Sequence, residues 1–245
     1  MIMKNFRLEF SMLLLSSLFF TGLFLSGCAQ HYVAQGNRSF AFKYYNESAG
    51  RYESALTEDS SDKTALLMAG WSYFKMAEYA RALERFKKLS ELDPKSDDAL
   101  EGIGWTYFKL GQYNDSIQTF QTLHKRDKDR AAALEGIAYS YFKLGDVVNA
   151  SHYLKLAILE NPRSSDNHLI RGYVAMMETN YPLAICSFKN AQSLLAKRNP
   201  DVDVALGNAY LATKDYQHAN NSFDQALKKN SQHAGALAGK KQISK

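Results

Sequence analysis

The side chains that most often carry catalysis are scattered through this chain. Its 6 histidines, His31, His124, His152, His168, His218 and His233, include no His-x-x-x-His pair of the kind that holds a metal on one helix face. They read as helix-surface residues. The acidic pairs Asp97-Asp98 and Asp127 with Asp129 fall beside turn signals, where helix capping explains them better than acid–base work, which needs carboxylates converging in one pocket. The chain has no Gly-rich phosphate loop, no Gly-x-Ser-x-Gly elbow and no His-Glu-x-x-His. The expectation is a protein without catalytic residues, metal or cofactor. What does recur is suited to recognition: Trp71, Trp105, Tyr139 and Tyr173, with Phe74 and Lys75, Phe108 and Lys109, and Phe142 and Lys143 three and four residues after the first three. Aromatic anchors beside a lysine ladder favour protein partners carrying acidic groups, although Glu101 and Glu135 offset part of that charge.

These residues are placed by a repeat. Gly70-Trp-Ser-Tyr-Phe-Lys-Met returns at Gly104 and, with Ala138-Tyr at its head, again at Ala138. The small residue that opens it recurs at Gly36, Gly70, Gly104, Ala138, Gly172 and Gly207, a spacing of 34 four times and 35 once, the extra residue falling before Pro200. A second small residue follows at Ser48, Ala82, Ser116, Ala150, Ala184 and Ala219, and then Tyr52, Phe86, Phe120, Leu154, Phe188 and Phe223. Leu100, Ile103, Gly104 and Tyr107 follow the helical i, i+3, i+4, i+7 rule, Gly111 gives a stop, and Ile117, Phe120 and Leu123 begin a second stripe. Each unit is therefore two helices that cannot bury their apolar faces alone, and stacking completes the core. A mid-helix glycine costs about 1 kcal/mol against alanine, so its recurrence implies a neighbouring backbone that leaves no room for a Cβ. Asp93-Pro94, Asn161-Pro162 and Asn199-Pro200 mark the joints, Ser61-Asp62, Asp97 and Ser165-Asp166 offer N-caps, and Pro182 fits a helical first turn.

The recurring glycine, tyrosine, small residue, aromatic and proline resemble the tetratricopeptide repeat family over nearly the whole chain after residue 28. Unit one departs from the pattern with Ser39 in place of tyrosine. The resemblance implies an all-α, right-handed superhelical solenoid of about six helix-turn-helix repeats at 29–62, 63–96, 97–130, 131–164, 165–199 and 200–233, with a short capping helix at 234–245 whose Lys240 and Lys241 face water. In that family the face bearing Trp71, Trp105, Tyr139 and Tyr173 lines a concave partner-binding groove. The family's carboxylate clamp is missing, since the matching places hold Val33, Asn37, Met68 and Gly102.

Residues 1–27 are of another kind. Lys4 and Arg7 precede an apolar run of 14 residues, Met12 to Leu25, too short for a membrane span and of the length of a secretory h-region. Leu25-Ser26-Gly27-Cys28 resembles the lipobox of bacterial lipoproteins, which implies cleavage before Cys28 and its acylation, and Ala29 after it leans toward an outer-membrane anchor facing the periplasm. Cys186 then remains as a buried free thiol with no disulfide partner. A net charge of +5 from 30 basic and 25 acidic residues is too mild and too evenly spread for nucleic acid. The expected function is a lipid-anchored periplasmic scaffold for an envelope machine, similar to the pilotins of type IV pilus or secretion secretins; the alternatives are an adaptor for polysaccharide export and a docking module for an envelope enzyme such as a peptidoglycan hydrolase. Mass spectrometry of the mature N-terminus should find an acylated Cys28, and Cys28→Ala should stay unprocessed or leave the membrane fraction. An unmodified residue 28 on membrane-bound protein would refute the lipobox.

Overall fold

The computed structural model describes residues 28–128 and 130–244, and the leader expected at 1–27 lies outside them. Every regular element among the described residues is a helix: α1 (28–41), α2 (Tyr45–Glu58), α3 (Lys63–Lys75), α4 (Tyr79–Leu92), α5 (Asp97–Lys109), α6 (Tyr113–Arg126), α7 (Ala131–Leu144), α8 (Val147–Glu160), α9 (Ser165–Met177), α10 (Tyr181–Leu194), α11 (Pro200–Ala212), α12 (Tyr216–Lys229) and α13 (Ala234–Ile243). No described helix is long and apolar enough to cross a membrane. They fall into two compact units, the first ending at Gly111 with α5 and the second beginning at Gln112 before α6.

Local chemistry starts and stops these helices. The side chains of Asp62, Ser96, Asp146, Ser164, Asn180, Asn199 and Asp215 each accept a backbone N–H of the first turn that follows. Two of the caps sit one residue earlier than the sequence suggested. Ser96 caps in place of Asp97, and Ser164 in place of Ser165-Asp166, which leaves Asp97 and Asp166 inside the first turn, near the positive end of the helix dipole. Pro182 lies in the first turn of α10, where a missing N–H costs nothing. The two helices of a repeat are joined through one left-handed residue, at Lys43, Ala77, Gly111, Gly145, Thr179 and Lys214, with φ between 56° and 77°. Only two of the six are glycine. The other four hold a conformation that costs an L-residue about 1–2 kcal/mol, and bonds closing the turn, such as Glu78 N–H to the Tyr73 carbonyl at 2.9 Å, keep them there.

Within each unit a helix packs on the next in sequence, and first helices also touch first helices, α3 on α5, α7 on α9, α9 on α11 and α11 on α13. The small residues are explained by rings rather than by a neighbouring backbone. A Cβ on Gly70 would lie 2.5 Å from the Phe86 ring, and one on Gly36, Gly172 or Gly207 would lie 2.7, 2.4 or 2.5 Å from Tyr52, Phe188 or Phe223. The next first helix supplies a second glycine to the same ring: Gly102 to Phe86 at 2.6 Å and Gly239 to Phe223 at 2.2 Å, while Gly136 meets Phe120 at 2.2 Å. Phe86, Phe120, Phe188 and Phe223 are all fully buried. The fourth repeat solves the same problem differently. Its small residue is Ala138, its ring is replaced by Leu154, and Ile170 of α9 packs against that pair.

Three expectations about single residues fail. Cys186 is exposed, because Ala184 and Phe188 on either side of it point to the core and at 100° per residue the position midway between them faces out. Lys240 does not simply face water, since it is half-buried and pairs with Asp224 of α12, while Lys241 is exposed. His124, His168 and His233 are half-buried, and His233 Nε2 lies 2.9 Å from Asp201 Oδ1.

The glycine and ring pairing generates a prediction. Gly70→Ala should lower stability by about 1–3 kcal/mol through overpacking, despite the better helix propensity of alanine. Combined with Phe86→Leu, the pair that the fourth repeat uses, it should be more stable than the two single losses sum to, by about 1 kcal/mol or more. Denaturant unfolding of the four proteins measures this coupling, and strict additivity would show that the ring does not select the glycine.

Candidate partner-binding face

The recurring aromatics stand on first helices, one residue after the buried small position, so each is turned partway out of the core. In the first unit Trp71 of α3 and Trp105 of α5 are both half-buried. Trp71 sets an edge against the Phe74 ring at 5.5 Å and against Phe86 at 5.1 Å, and Phe74 in turn meets Tyr79 edge-on at 5.6 Å. Trp105 meets Phe108 edge-on at 5.8 Å. Lys75 and Lys109, at the ends of the same helices, are exposed. Trp71 is therefore anchored through the ring that two glycines hold, and its position follows from the core.

In the second unit Tyr139 of α7 and Tyr173 of α9 are also half-buried. Phe142 stacks on Tyr173 with ring centres 6.3 Å apart, Tyr173 meets Phe188 edge-on at 5.2 Å, and the exposed Lys143 reaches 6.0 Å from the centre of the Phe142 ring. Tyr139 is tied down by its hydroxyl. Its hydroxyl donates to Asn167 Oδ1 at 2.7 Å, and Asn167 Nδ2 donates to Glu135 Oε1 at 2.8 Å, with Asn161 Nδ2 at 3.3 Å. Burial raises the Glu135 carboxyl above its usual range, against the lowering by its amide partners. Burial, and then Glu135, raise the Tyr139 phenol well above its ordinary value.

Asn167 is fully buried and was not anticipated. The signal was present, because the matching places of the second, third and fourth repeats hold Ala65, Ala99 and Ala133, and an amide in that series must find partners inside. Tyr107, expected to face the core, is half-buried with Lys87 Nζ 5.6 Å over its ring, whereas Tyr73 one repeat earlier is only 2% exposed. Among the described residues no group of three or more His, Cys, Asp or Glu is placed to hold a metal ion. The first helices of each unit thus offer aromatic edges and lysine ammonium groups, which suit contact with another polypeptide.

Residues 73–136 match the tetratricopeptide repeat family. No curated protein matches the chain in sequence. Among solved structures, PilF of Pseudomonas aeruginosa superposes with a TM-score of 0.76 at 13% identity, covering 89% of this chain and 99% of that one. PilW, described as a widely conserved type IV pilus biogenesis factor, gives 0.77 at 19% identity over 86% and 96% of the two chains. YrrB, described as a tetratricopeptide protein with an unusual peptide-binding site, gives 0.61 at 20% identity over 78% and 97%.

The buried network at Tyr139 makes stability depend on pH. Because the folded Glu135 carboxyl binds its proton more tightly than the unfolded one, the folded state is favoured below the ordinary carboxylate value and loses stability as pH rises through the raised folded value. Glu135→Gln keeps the acceptor for Asn167 and removes the charge. The gain in Tm of this variant over the parent should be larger at pH 7 than at pH 4, and an equal gain at both would mean that Glu135 titrates normally.

Proposed function

We propose that this chain, a tetratricopeptide repeat protein by fold, is a lipid-anchored periplasmic scaffold that binds a partner polypeptide during assembly of a pilus or secretion machine in the cell envelope. The observation that carries the reading is the set of half-buried Trp71 and Trp105, and in the second unit Tyr139 and Tyr173, each on a first helix, with exposed Lys75, Lys109 and Lys143 at the helix ends. Large rings with one edge held by the core and the other open lose little conformational freedom on binding, which is what interface anchors need. The lysines add steering toward a partner with acidic groups. Likeness along nearly the full length of PilF and PilW supports the envelope and pilus context, and the leader with Cys28 supports the anchor. In this reading the protein brings a secretin subunit to the outer membrane and performs no catalysis.

Deleting the gene should leave the secretin of the same cell unassembled or in the wrong membrane, measured as loss of its multimers from the outer-membrane fraction. Trp71→Ala should weaken binding of the purified secretin by about 2 kcal/mol or more, and should lower Tm less than Tyr73→Ala, which empties a fully enclosed site. Unchanged secretin assembly in the deletion strain would sink the pilus reading, and unchanged affinity of folded Trp71→Ala would sink the aromatic face.

A further inference from the structure

The groove between second helices of adjacent repeats is filled between α2 and α4 and open between α10 and α12. Between α2 and α4, Glu53 receives two hydrogen bonds from Arg85, Nε to Oε1 at 2.8 Å and Nη2 to Oε2 at 3.1 Å, and a third from the Tyr73 hydroxyl at 3.1 Å. Arg81 lies over the Tyr73 ring, 3.8 Å from its centre. A carboxylate is thus held at a tyrosine hydroxyl by one arginine while a second arginine covers the ring, all four groups from the chain itself.

The matching positions between α10 and α12 are Lys189 for Glu53, Tyr210 for Tyr73, His218 for Arg81 and Ser222 for Arg85. The tyrosine floor is kept: Lys189 Nζ is 5.6 Å from the centre of the Tyr210 ring, and His218 stacks on that ring at 5.0 Å. The carboxylate is replaced by an ammonium and the long arginine by a serine. What remains is a cleft of about 250 Å³ lined by Lys189, Arg198, Leu206, Tyr210, His218 and Ser222. Arg198 comes from the 195–199 connection, the joint that carries the extra residue of the 35-residue spacing. It is fixed there by Asp203, whose side chain is 0% exposed and which takes Nε at 2.9 Å and Nη2 at 2.7 Å. Asp203 is occupied by Arg198, and Asp215 by His218 at 2.8 Å. Among the described residues no carboxylate lies within ion-pair distance of Lys189.

We propose that this cleft binds a carboxylate brought by another polypeptide, which takes beside the Tyr210 hydroxyl the place that Glu53 takes beside that of Tyr73. Lys189 and Arg198 supply the cations, and Ser222, in the place of Arg85, leaves the room. An arginine fixed by a buried aspartate is pre-organised, so little side-chain freedom remains to be lost on binding. The carboxylate can come from an acidic side chain or from a chain terminus. None of the cleft residues belongs to the aromatic face, so the two sites succeed or fail separately.

Saturation-transfer NMR on the full chain in detergent tests this with three peptides: N-acetyl-Gly-Glu-Gly-amide, which carries only a side-chain carboxylate, N-acetyl-Gly-Gly-Gly with a free terminus, and N-acetyl-Gly-Gln-Gly-amide, which carries neither. At least one of the first two should saturate, identifying the source, and should bind at least tenfold more tightly than the glutamine peptide. Lys189→Ala should weaken that peptide at least tenfold. The double variant Lys189→Glu with Ser222→Arg rebuilds the arrangement of the first unit, and should abolish binding while keeping Tm at or above that of the parent. Equal binding of all three peptides, or affinity unchanged in Lys189→Ala, would overturn the proposal.

Discussion

At the tightest joints a repeat is held to the next by an aromatic ring pressed between two helices at places where they have no Cβ. Phe86 takes Gly70 on one side and Gly102 on the other, and Phe223 takes Gly207 and Gly239. The ring supplies a large buried apolar area, and the glycines let the helices approach it at van der Waals distance. Helix propensity is given up at these positions, and ring burial offsets it. The constraint reaches outward. Because Trp71 leans on Phe86 in the first unit and Tyr173 on Phe188 in the second, the ring that builds the core of each unit also aims its half-buried aromatics. The fourth repeat shows that the rule concerns summed volume, since Ala138, Leu154 and Ile170 fill the space that two glycines and a phenylalanine fill elsewhere.

Polar groups distinguish joints that the apolar clamp would leave alike. Glu53 and Arg85 tie α2 to α4 in the first unit, and burial together with Glu53 pushes the Tyr73 phenol up to about 12. In the second unit Asn167 ties α9 to α7 through Tyr139 and Glu135, while Arg198 and Asp203 brace the longer joint before α11. Buried polar groups of this kind contribute little net stability but penalise any arrangement that leaves them unpaired. A stack of near-identical units needs such marks, because the apolar rings alone would accept a neighbour in the wrong place.

For function, the consequence is a division of labour along each helix pair. First helices carry rings that are half core and half surface, with lysines at their ends. Second helices carry the groups that bridge to the next repeat or, between α10 and α12, leave an opening.

The sequence determined the helix pairs, their period and the identity of the half-buried aromatics, because a 34-residue spacing and the i, i+3, i+4, i+7 stripe are properties of a helix that needs a neighbour. It also marked one glycine of each close approach, such as Gly70, Gly172 and Gly207, though not Gly136 or Gly239, and it marked Pro182 in a first turn. Only the tertiary structure decided what fills the space beside each glycine, because Phe86 lies 16 residues from Gly70 and on another helix. The left-handed turns at Lys43, Ala77, Thr179 and Lys214 were equally silent, since no residue type there announces a positive φ and the closing bonds impose it. Tyr107 was misjudged because a stripe gives the direction of a side chain, whereas its depth depends on what packs above it, and Cys186 because it lies on the opposite side of its helix from Ala184 and Phe188. The partners of Asn167 and the Lys189 cleft emerge only where helices distant in the chain meet, because whether a polar group is paired or open depends on residues that sequence spacing does not bring together.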